Sequence, residues 1–341
     1  MKPRISIIVP CYNEAGFIKQ LLQNIADQDY PEDKSEVFII DGMSSDGTRE
    51  IIGAFISEHP NFHLLDNERR YVPFALNIGI GASSGEVIVR MDAHAEYPAD
   101  YVSRLVTELY RLNAENVGGS WVTLPGDNTL KSKAIAAALA SPFGVGNAHY
   151  RLNMNEVRQS DTVPFGCYRR EVFDRLGMFD EELLRNQDDT FNAKLTQNGG
   201  RIFLIPGIKI RYFARKSIKS TLKMFYQYGL FKPLGNKKIH RPATLRQLIP
   251  PAFVLFLIAI LTGSFVSDYI LGAGILVLGI YLIADLIFTI RSVVKKSSLG
   301  LMFFLPWLFF LIHVAYGVGY LRGIVKFILL RQKKASVKTS R

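Results

Sequence analysis

The sequence of 341 residues predicts an α/β domain with a mostly parallel sheet, followed by C-terminal transmembrane helices. Short β-branched apolar runs alternate with segments of helical spacing in the N-terminal part. Polar side chains suited to chemistry stand where the predicted strands end. Beyond residue 246 the chain becomes almost continuously apolar, in stretches long enough to cross a bilayer.

The strand–helix alternation can be followed through the first 112 residues. In chain order, the predicted elements are strand Ile5–Val9, helix Phe17–Gln28, strand Val37–Ile40, helix Thr48–Ile56, strand Phe62–Leu65, helix Phe74–Ile80, strand Val87–Met91 and helix Pro98–Leu112. Parallel sheets of this kind bind ligands at the carboxyl ends of their strands.

The net charge of +11 is distributed unevenly along the chain. Residues 1–208 carry 28 acidic and 20 basic side chains, whereas residues 209–246 carry 11 basic and no acidic ones. The last segment, 248–341, carries 10 basic side chains and two acidic ones. Because the positive charge borders apolar stretches, it indicates an anionic membrane surface and argues against nucleic acid as a partner.

Cysteine content and the N-terminus point to a cytosolic catalytic part. Cys11 and Cys167 are the two cysteines of the chain, which is too few for a disulfide framework. Reduced thiols are expected in the cytosol. The first apolar run has five residues, too few for a signal peptide, and is therefore predicted to be the first strand.

Three apolar helices are predicted, at 248–266, 270–290 and 301–321. The first two form a hairpin whose following loop carries three basic residues and should lie inside. If the third also spans, the basic tail 331–341 ends outside, against the positive-inside rule. The alternative is that 301–321 lies in the membrane interface or re-enters. The sequence leaves this choice open.

Two motifs follow the first two predicted strands. VPCYNE occupies 9–14 and DGMSSDGT occupies 41–48. An acid at the end of the second strand, Asp41, is placed to contact a ribose or a base. Glu14 lies at the start of a helix, where capping is the simpler explanation. Asp46 and Thr48 are predicted to be structural residues at a helix N-terminus.

Two further clusters of polar residues carry candidate chemistry. Asp92 and His94 are separated by one residue after a strand, so both side chains project the same way and could hold one divalent cation. The imidazole favours Mn²⁺ over Mg²⁺. Asp188 and Asp189 open a predicted helix; one of them is a candidate catalytic base, and the alternative is a pair that stabilises the helix dipole.

The order of these motifs resembles that of family 2 glycosyltransferases, which are inverting enzymes with the GT-A (Rossmann-like) fold. VPCYNE is similar to their first-strand signature and DGMSSDGT to their second. Asp92-Ala93-His94 takes the place of their Asp-x-Asp metal motif. Residues 164–181 followed by Asn186-Gln187-Asp188 resemble the acceptor segment and base motif. The resemblance covers roughly 3–235, and the branch it resembles is that of the succinoglycan-biosynthesis glucosyltransferases.

The resemblance implies a role for each matching position. Asp188 is the expected base, Asp92 and His94 the expected metal ligands, and the donor is expected to be UDP-linked. Donor contacts are implied for Pro10, Tyr12, Glu14, Asp41 and Asp92, and acceptor or supporting roles for Gln187, Asp189, Gly118 and Gly119. The two glycines, with Ser120, are expected to form a small-residue turn that lines the sugar pocket.

Three positions depart from the family pattern: Gly42 replaces a second acid, His94 the last acid of the metal motif, and Gln187 the Glu before the base. The chain contains no Gln-x-x-Arg-Trp motif of processive synthases, so transfer of a single sugar is expected.

The predicted organisation is a catalytic domain at 1–235, with a nucleotide-binding half to about residue 120 and an acceptor half after it. A basic linker at 236–247 and a membrane domain at 248–330 follow. The expected partners are a nucleotide-sugar donor, a lipid-linked or glycan acceptor and membrane lipids, at the cytosolic side of a bacterial inner membrane. Two alternatives remain: a nucleotidyltransferase, and a non-catalytic membrane scaffold or inactive relative.

Overall fold

The computed structural model describes residues 2–146, 148–152 and 154–332. Nine of the eleven residues of the predicted basic tail, 333–341, lie outside the described residues. The chain forms two compact units, each assembled from two segments. The first comprises Met1–Val122 and Asn153–Tyr212, and the second comprises Thr123–Leu152 and Phe213–Arg341.

The strands are β1 Ile5–Cys11, β2 Ser35–Asp41, β3 Phe62–Asp66, β4 Val87–Arg90, β5 Ala95–Glu96, β6 Asn116–Leu124, β7 Arg158–Gln159, β8 Cys167–Arg169 and β9 Ile202–Phe213. The helices are α1 Ile18–Ala26, α2 Thr48–Ile56, α3 Val72–Ala82, α4 Tyr101–Arg111, α5 Leu130–Leu139, α6 Pro142–Val145, α7 Glu171–Leu176, α8 Gln187–Gln197, α9 Ile218–Lys238, α10 Ile249–Gly263, α11 Asp268–Lys296 and α12 Leu305–Gly323.

The strands form one mixed sheet in the order β3-β2-β1-β4-β8-β6-β9-β5, with β7 also paired to β9. Its first four strands are parallel, and β8 joins them by antiparallel pairing with β4 and β6. The predicted α/β fold class is confirmed. The register places Cys11 beside Asp41, and Asp41 beside Asp66, so the carboxyl ends of three strands meet at one edge.

Burial on both faces explains why β1 is almost entirely apolar. Ile5, Ile7, Ile8 and Val9 are at most 2% exposed. Parallel strands covered on both faces have this composition, and each such side chain contributes about 1.5–3 kcal/mol on burial. The rigid core therefore holds the loop that follows β1 in a defined place.

The segment Gly118-Gly119-Ser120 is not a turn, contrary to the expectation from sequence. It lies inside β6, where close neighbours leave no room for a side chain at either glycine. A Cβ on Gly118 would lie 2.6 Å from Val163 Cβ, and one on Gly119 would lie 2.6 Å from the Ile208 carbonyl oxygen. Glycine in a strand often marks such a close approach of another chain segment.

The second unit is helical. Its core is formed by buried side chains of α5, α9, α11 and α12, with the alanines of α5 at its centre. Three helical stretches are long and apolar enough to cross a membrane: Leu245–Gly263, Asp268–Lys296 and Leu305–Leu329. Their outward surfaces are rich in exposed leucine, isoleucine and valine.

Candidate active site

The loop after β1 is bound to the loop after β2 by side chains of the DGMSSDGT motif. The Asn13 amide donates to Ser44 Oγ at 2.8 Å, and the Glu14 amide donates to Thr48 Oγ1 at 2.7 Å. The Ala15 amide donates to Asp46. Burial alone would raise the pKa of Asp46, but hydrogen bonds from Thr48 and Ala15 outweigh it and lower that pKa. Asp46 and Thr48 therefore hold this loop.

Asp41 lies at the end of β2 with its residue surface fully buried. Its carboxylate accepts hydrogen bonds from Arg49 Nη1 at 2.8 Å and from the Ser44 amide at 2.9 Å. Cys11 Sγ lies 3.6 Å from it. Burial, and next the adjacent Asp41, raise the pKa of the Cys11 thiol, which stays protonated and inert. Asp41 thus anchors the floor of the strand-end cleft.

Tyr12 lies above this floor, against Gly42. A Cβ at Gly42 would lie 3.1 Å from Tyr12 Cβ and 3.3 Å from Arg70 Cα, so a second acid at this position would displace the ring. The Arg70 guanidinium lies 5.7 Å from the centre of the Tyr12 ring. Arg70 was not anticipated from the sequence. Pro10 precedes this loop and is paired with Ile40 in the sheet.

His94 and Glu14 are brought into contact, although they belong to different motifs. His94 Nε2 lies 2.9 Å from Glu14 Oε1. Glu14 is 7% exposed, and the His94 ring packs edge-on against Phe17 at 5.4 Å between ring centres. The Glu14 side chain therefore holds the imidazole of His94, which was predicted from the sequence to be a metal ligand.

Arg90, at the end of β4, contacts both Asp92 and Asp188. Its Nε and Nη2 donate to the two carboxylate oxygens of Asp92 at 2.7 and 2.8 Å. Its Nη1 lies 3.7 Å from Asp188 Oδ2. Burial alone would lower the pKa of Arg90, but Asp92 and then Asp188 outweigh it and raise that pKa. A permanent positive charge thus links the expected metal ligand to the expected base.

The backbone and the neighbours of Asp92 are also fixed. The Asp92 amide donates to the Tyr97 hydroxyl oxygen at 2.7 Å, and the Arg90 guanidinium lies 5.8 Å from the centre of the Phe165 ring. Sequence reasoning placed Arg90 next to the Asp92–His94 motif but assigned it no role. A usable signal existed, because a charged residue ends an otherwise apolar buried strand next to Asp92.

The helix that carries Asp188 is held in place by a buried polar network. Asp188 and Asp189 lie in the first turn of α8. One turn further on, Asn192 is fully buried and donates to Thr162 Oγ1 at 2.9 Å. Its Oδ1 accepts from the Tyr168 hydroxyl at 3.1 Å. These buried hydrogen bonds fix the helix, and with it the position of Asp188.

The other residues of the base motif are buried. Asn186, just before α8, has φ 61°, and Gln187 is 6% exposed. Gln187 therefore belongs to the packed start of the helix. Gly118 and Gly119 lie in β6, packed against Val163 and Ile208.

The chemistry of the predicted metal ligands suits a divalent cation. A carboxylate and an imidazole next to a diphosphate are acceptable Mn²⁺ ligands. In the described conformation Asp92 is paired with Arg90 and His94 with Glu14. Among the residues that the structure describes, no group of three His, Cys, Asp or Glu side chains is arranged around a common metal position.

Comparison of solved structures shows the fold. The chain is similar to the mannosyltransferase PcManGT from Pyrobaculum calidifontis, solved in complex with GDP-Man and Mn²⁺, with a TM-score of 0.63 and 23% identity over 94% of this chain and 88% of that one. It is also similar to a TarS fragment of S. aureus, with a TM-score of 0.51 and 19% identity over 96% of this chain and 92% of the fragment. The predicted GT-A fold is confirmed.

Sequence relatives show the family. The chain is 29% identical to the dolichyl N-acetyl-alpha-D-glucosaminyl phosphate 3-beta-D-2,3-diacetamido-2,3-dideoxy-beta-D-glucuronosyltransferase of Methanococcus voltae, over 94% of this chain and 97% of that protein. It is 31% identical to the succinoglycan biosynthesis protein ExoA of Rhizobium meliloti, over 72% of this chain and 74% of that protein. Residues 6–177 match the family model described as glycosyl transferase family 2. The chain therefore belongs to glycosyl transferase family 2 and is a glycosyltransferase.

Proposed function

We propose that this glycosyltransferase moves one sugar, with inversion, from a UDP-hexose to a hydroxyl group of a membrane-associated acceptor. One observation carries the proposal: Arg90 contacts Asp92 and Asp188 together. Asp92, the proposed donor-binding acid, and Asp188, the proposed proton acceptor, come from distant motifs. Both contact the positively charged guanidinium of Arg90. An inverting displacement needs this combination next to the diphosphate.

The donor nucleoside is assigned to the edge where β1 and β2 end. The Tyr12 ring supplies an aromatic face on which a planar base can stack. Arg70 lies close enough to that ring to contact the same base or a phosphate of the donor. Pro10, Glu14 and Asp41 shape this loop and its floor. Asp92 and His94 would hold a divalent cation, which when bound neutralises charge on the departing diphosphate.

The chemical step is a single displacement. The acceptor hydroxyl oxygen bonds to the anomeric carbon while the bond from that carbon to the diphosphate oxygen breaks. The nucleoside diphosphate leaves with the bonding electrons, and Asp188 accepts the hydroxyl proton. Asp189, Gln187, Gly118 and Gly119 remain assigned to acceptor or supporting positions.

The acceptor is assigned to the membrane because the chain carries helices of spanning length and composition. The name of the Methanococcus voltae relative describes a dolichyl phosphate-linked sugar as its substrate. A polyprenyl-linked sugar is therefore the proposed acceptor class here. The basic loop of residues 291–300 supports, by the positive-inside rule, the proposal that the catalytic residues lie on the cytosolic side of a bacterial inner membrane.

Asp188→Asn tests the base assignment, with Asp189→Asn as its matched control on the same helical turn. Loss of a general base costs about 10²–10⁴-fold in rate. We expect D188N to lose transfer by that amount with unchanged donor affinity in isothermal titration, and D189N to keep most of its rate. Near-normal turnover by D188N would show that the base is elsewhere.

The same purified protein identifies the donor. A panel of nucleotide sugars is incubated with Mn²⁺, Mg²⁺ or EDTA, and released nucleoside diphosphate is measured. Release of UDP from one sugar supports the proposal. If the wild-type protein bound no nucleotide at all, the scaffold alternative would replace it.

A further inference from the structure

The carboxylate of Asp41, at the end of β2, is already saturated with hydrogen-bond donors. Its Oδ2 accepts from the Ser44 amide at 2.9 Å and from Arg49 Nη1 at 2.8 Å. Its Oδ1 accepts from the Ser44 hydroxyl and lies 3.6 Å from Cys11 Sγ. A carboxylate has about four acceptor positions, and these contacts occupy them all. Asp41 therefore holds other groups in place and has no acceptor position left for a ligand.

Arg49, in the first turn of α2, joins Asp41 to Asp66 at the end of β3. Its Nη1 lies 2.8 Å from a carboxylate oxygen of each acid. Within residues 2–146, 148–152 and 154–332, no group accepts a hydrogen bond from Nε or Nη2 of Arg49. The side chain of Asp41 is 0% exposed, that of Arg49 is 32% exposed and that of Asp66 is 56% exposed. A ligand at the strand ends can therefore touch Arg49 and Asp66, but not Asp41.

The Arg49–Asp66 pair lies close to the aromatic face of Tyr12, to which the donor base is assigned. Asp66 stands beside Asp41 in the register of β2 and β3. Gly42, the next residue after Asp41, packs against the Tyr12 side chain. Consecutive Cα atoms are about 3.8 Å apart and neighbouring strands about 4.8 Å apart. A base stacked on Tyr12 thus extends to the ion pair with one of its edges.

The chemistry of this pair selects one kind of base edge. A guanidinium only donates hydrogen bonds and a carboxylate only accepts them. Side by side, the two groups match an edge that carries a keto oxygen next to a ring N–H, as in uracil and guanine. Cytosine and adenine carry an amino group next to an unprotonated ring nitrogen, which is the opposite pattern. Arg49 and Asp66 together therefore suit keto bases and oppose amino bases.

We propose that Arg49 and Asp66 recognise the keto edge of the donor base. The Arg49 guanidinium donates to the keto oxygen, and the ring N–H of the base donates to the Asp66 carboxylate. Asp41 is a positioning residue that holds Arg49 from below and does not touch the base. The inference rests on the proposed use of a nucleotide-sugar donor, and it assigns the residues that distinguish UDP from CDP.

Titration of the detergent-purified full chain with UDP and with CDP tests the proposal, because the two nucleotides differ only at this edge. The wild type should bind UDP about 10- to 100-fold more tightly than CDP. Asp66→Asn keeps the Asp41–Arg49 pair and adds an amide that can donate to the cytosine ring nitrogen, so the ratio of the two affinities should fall about tenfold. Glu68→Gln removes the same charge at an exposed position two residues further on and should keep the wild-type ratio.

Arg49→Lys separates recognition of the base from attraction of the diphosphate. Lysine keeps the positive charge but loses the planar fork that reaches an acid and a base together, so the preference for UDP should fall while CDP binding is retained. A purely structural role of Arg49 would weaken UDP and CDP equally. Equal binding of UDP and CDP by the wild type, or an unchanged ratio in both D66N and R49K, would overturn the inference; in the second case the proposed UDP donor would stand. Preference of the wild type for GDP over UDP and ADP, lost in D66N, would refute the UDP donor and uphold the recognition of a keto edge.

Discussion

Replacing Arg90 by Gln removes the guanidinium that contacts both Asp92 and Asp188 and leaves the two carboxylates without that counter-charge. The Arg90 side chain is 12% exposed and that of Asp92 is 22% exposed, so the pair is neither fully buried nor on the open surface. Breaking buried pairs costs about 3–5 kcal/mol and exposed ones about 0–1 kcal/mol, which suggests about 2 kcal/mol here.

The expected effects of R90Q on turnover and on metal affinity have opposite signs. If the loss of about 2 kcal/mol of interaction energy appears fully as a higher activation free energy, kcat/KM falls about 30-fold. The affinity for Mn²⁺ without donor should rise about tenfold or more, because a cation no longer competes for Asp92. Turnover is measured by nucleoside diphosphate release, and Mn²⁺ binding by electron paramagnetic resonance of the free ion.

Arg90→Lys is the matched control. It keeps the charge but loses the two-pronged hydrogen bonding to Asp92, so Mn²⁺ affinity should stay near that of the wild type while turnover falls less than in R90Q. A merely misfolded variant would lose both turnover and Mn²⁺ binding. If R90Q kept the circular dichroism spectrum of the wild type but lost both, or if it changed neither, the coupling of Asp92 and Asp188 through Arg90 would be refuted.

Three further outcomes are expected. Burial opposes ionisation of Glu36, but serine hydroxyl and backbone amide donors outweigh it and lower its pKa below the ordinary value of 4.5; the stability it contributes is therefore present above that pH and lost as pH falls below it, and thermal melting of Glu36→Gln should show a weaker acid dependence. Gly319→Leu places a side chain against the Tyr226 carbonyl and should cost about 1–3 kcal/mol, seen as a lower Tm, whereas Val318→Leu at the exposed neighbour should not. His94→Asp supplies a harder ligand and should shift the activating ion from Mn²⁺ towards Mg²⁺; unchanged preference in the release assay would contradict His94 as a ligand.

The pattern of apolar residues was sufficient to predict the strands of the parallel part of the sheet. Four of the five residues of Ile5–Val9 and all four of Val37–Ile40 are apolar because both faces of these strands are covered, and no tertiary knowledge is needed to recognise them. The turn expected at Gly118–Ser120 was wrong for a complementary reason. Small residues are favoured both in turns and where segments approach closely, and the local sequence cannot distinguish the two.

Arg90 and Arg70 show why part of the site escaped the sequence. Arg90 directly precedes the Asp92–His94 motif but has no assigned role in it, and Arg70 lies outside the motifs. The role of each depends on a partner that is distant in the chain, Asp188 for Arg90 and Tyr12 for Arg70. Likewise, no local signal indicates that Thr123–Leu152 belongs with the C-terminal helices. Its alanine-rich helix α5 is buried there only because α9, α11 and α12 surround it.

The sequence by itself determined the fold class, the order of the motifs and the presence of apolar helices, because each depends on residue type at short spacing. The tertiary structure decided which charges meet and which helices touch. Arg90 links Asp92 to Asp188 because β4 ends opposite the first turn of α8, and α12 is paired with the lysine-rich α9 because glycines allow the two backbones to touch. Such contacts join residues far apart in the chain, so their energies leave no trace in local composition.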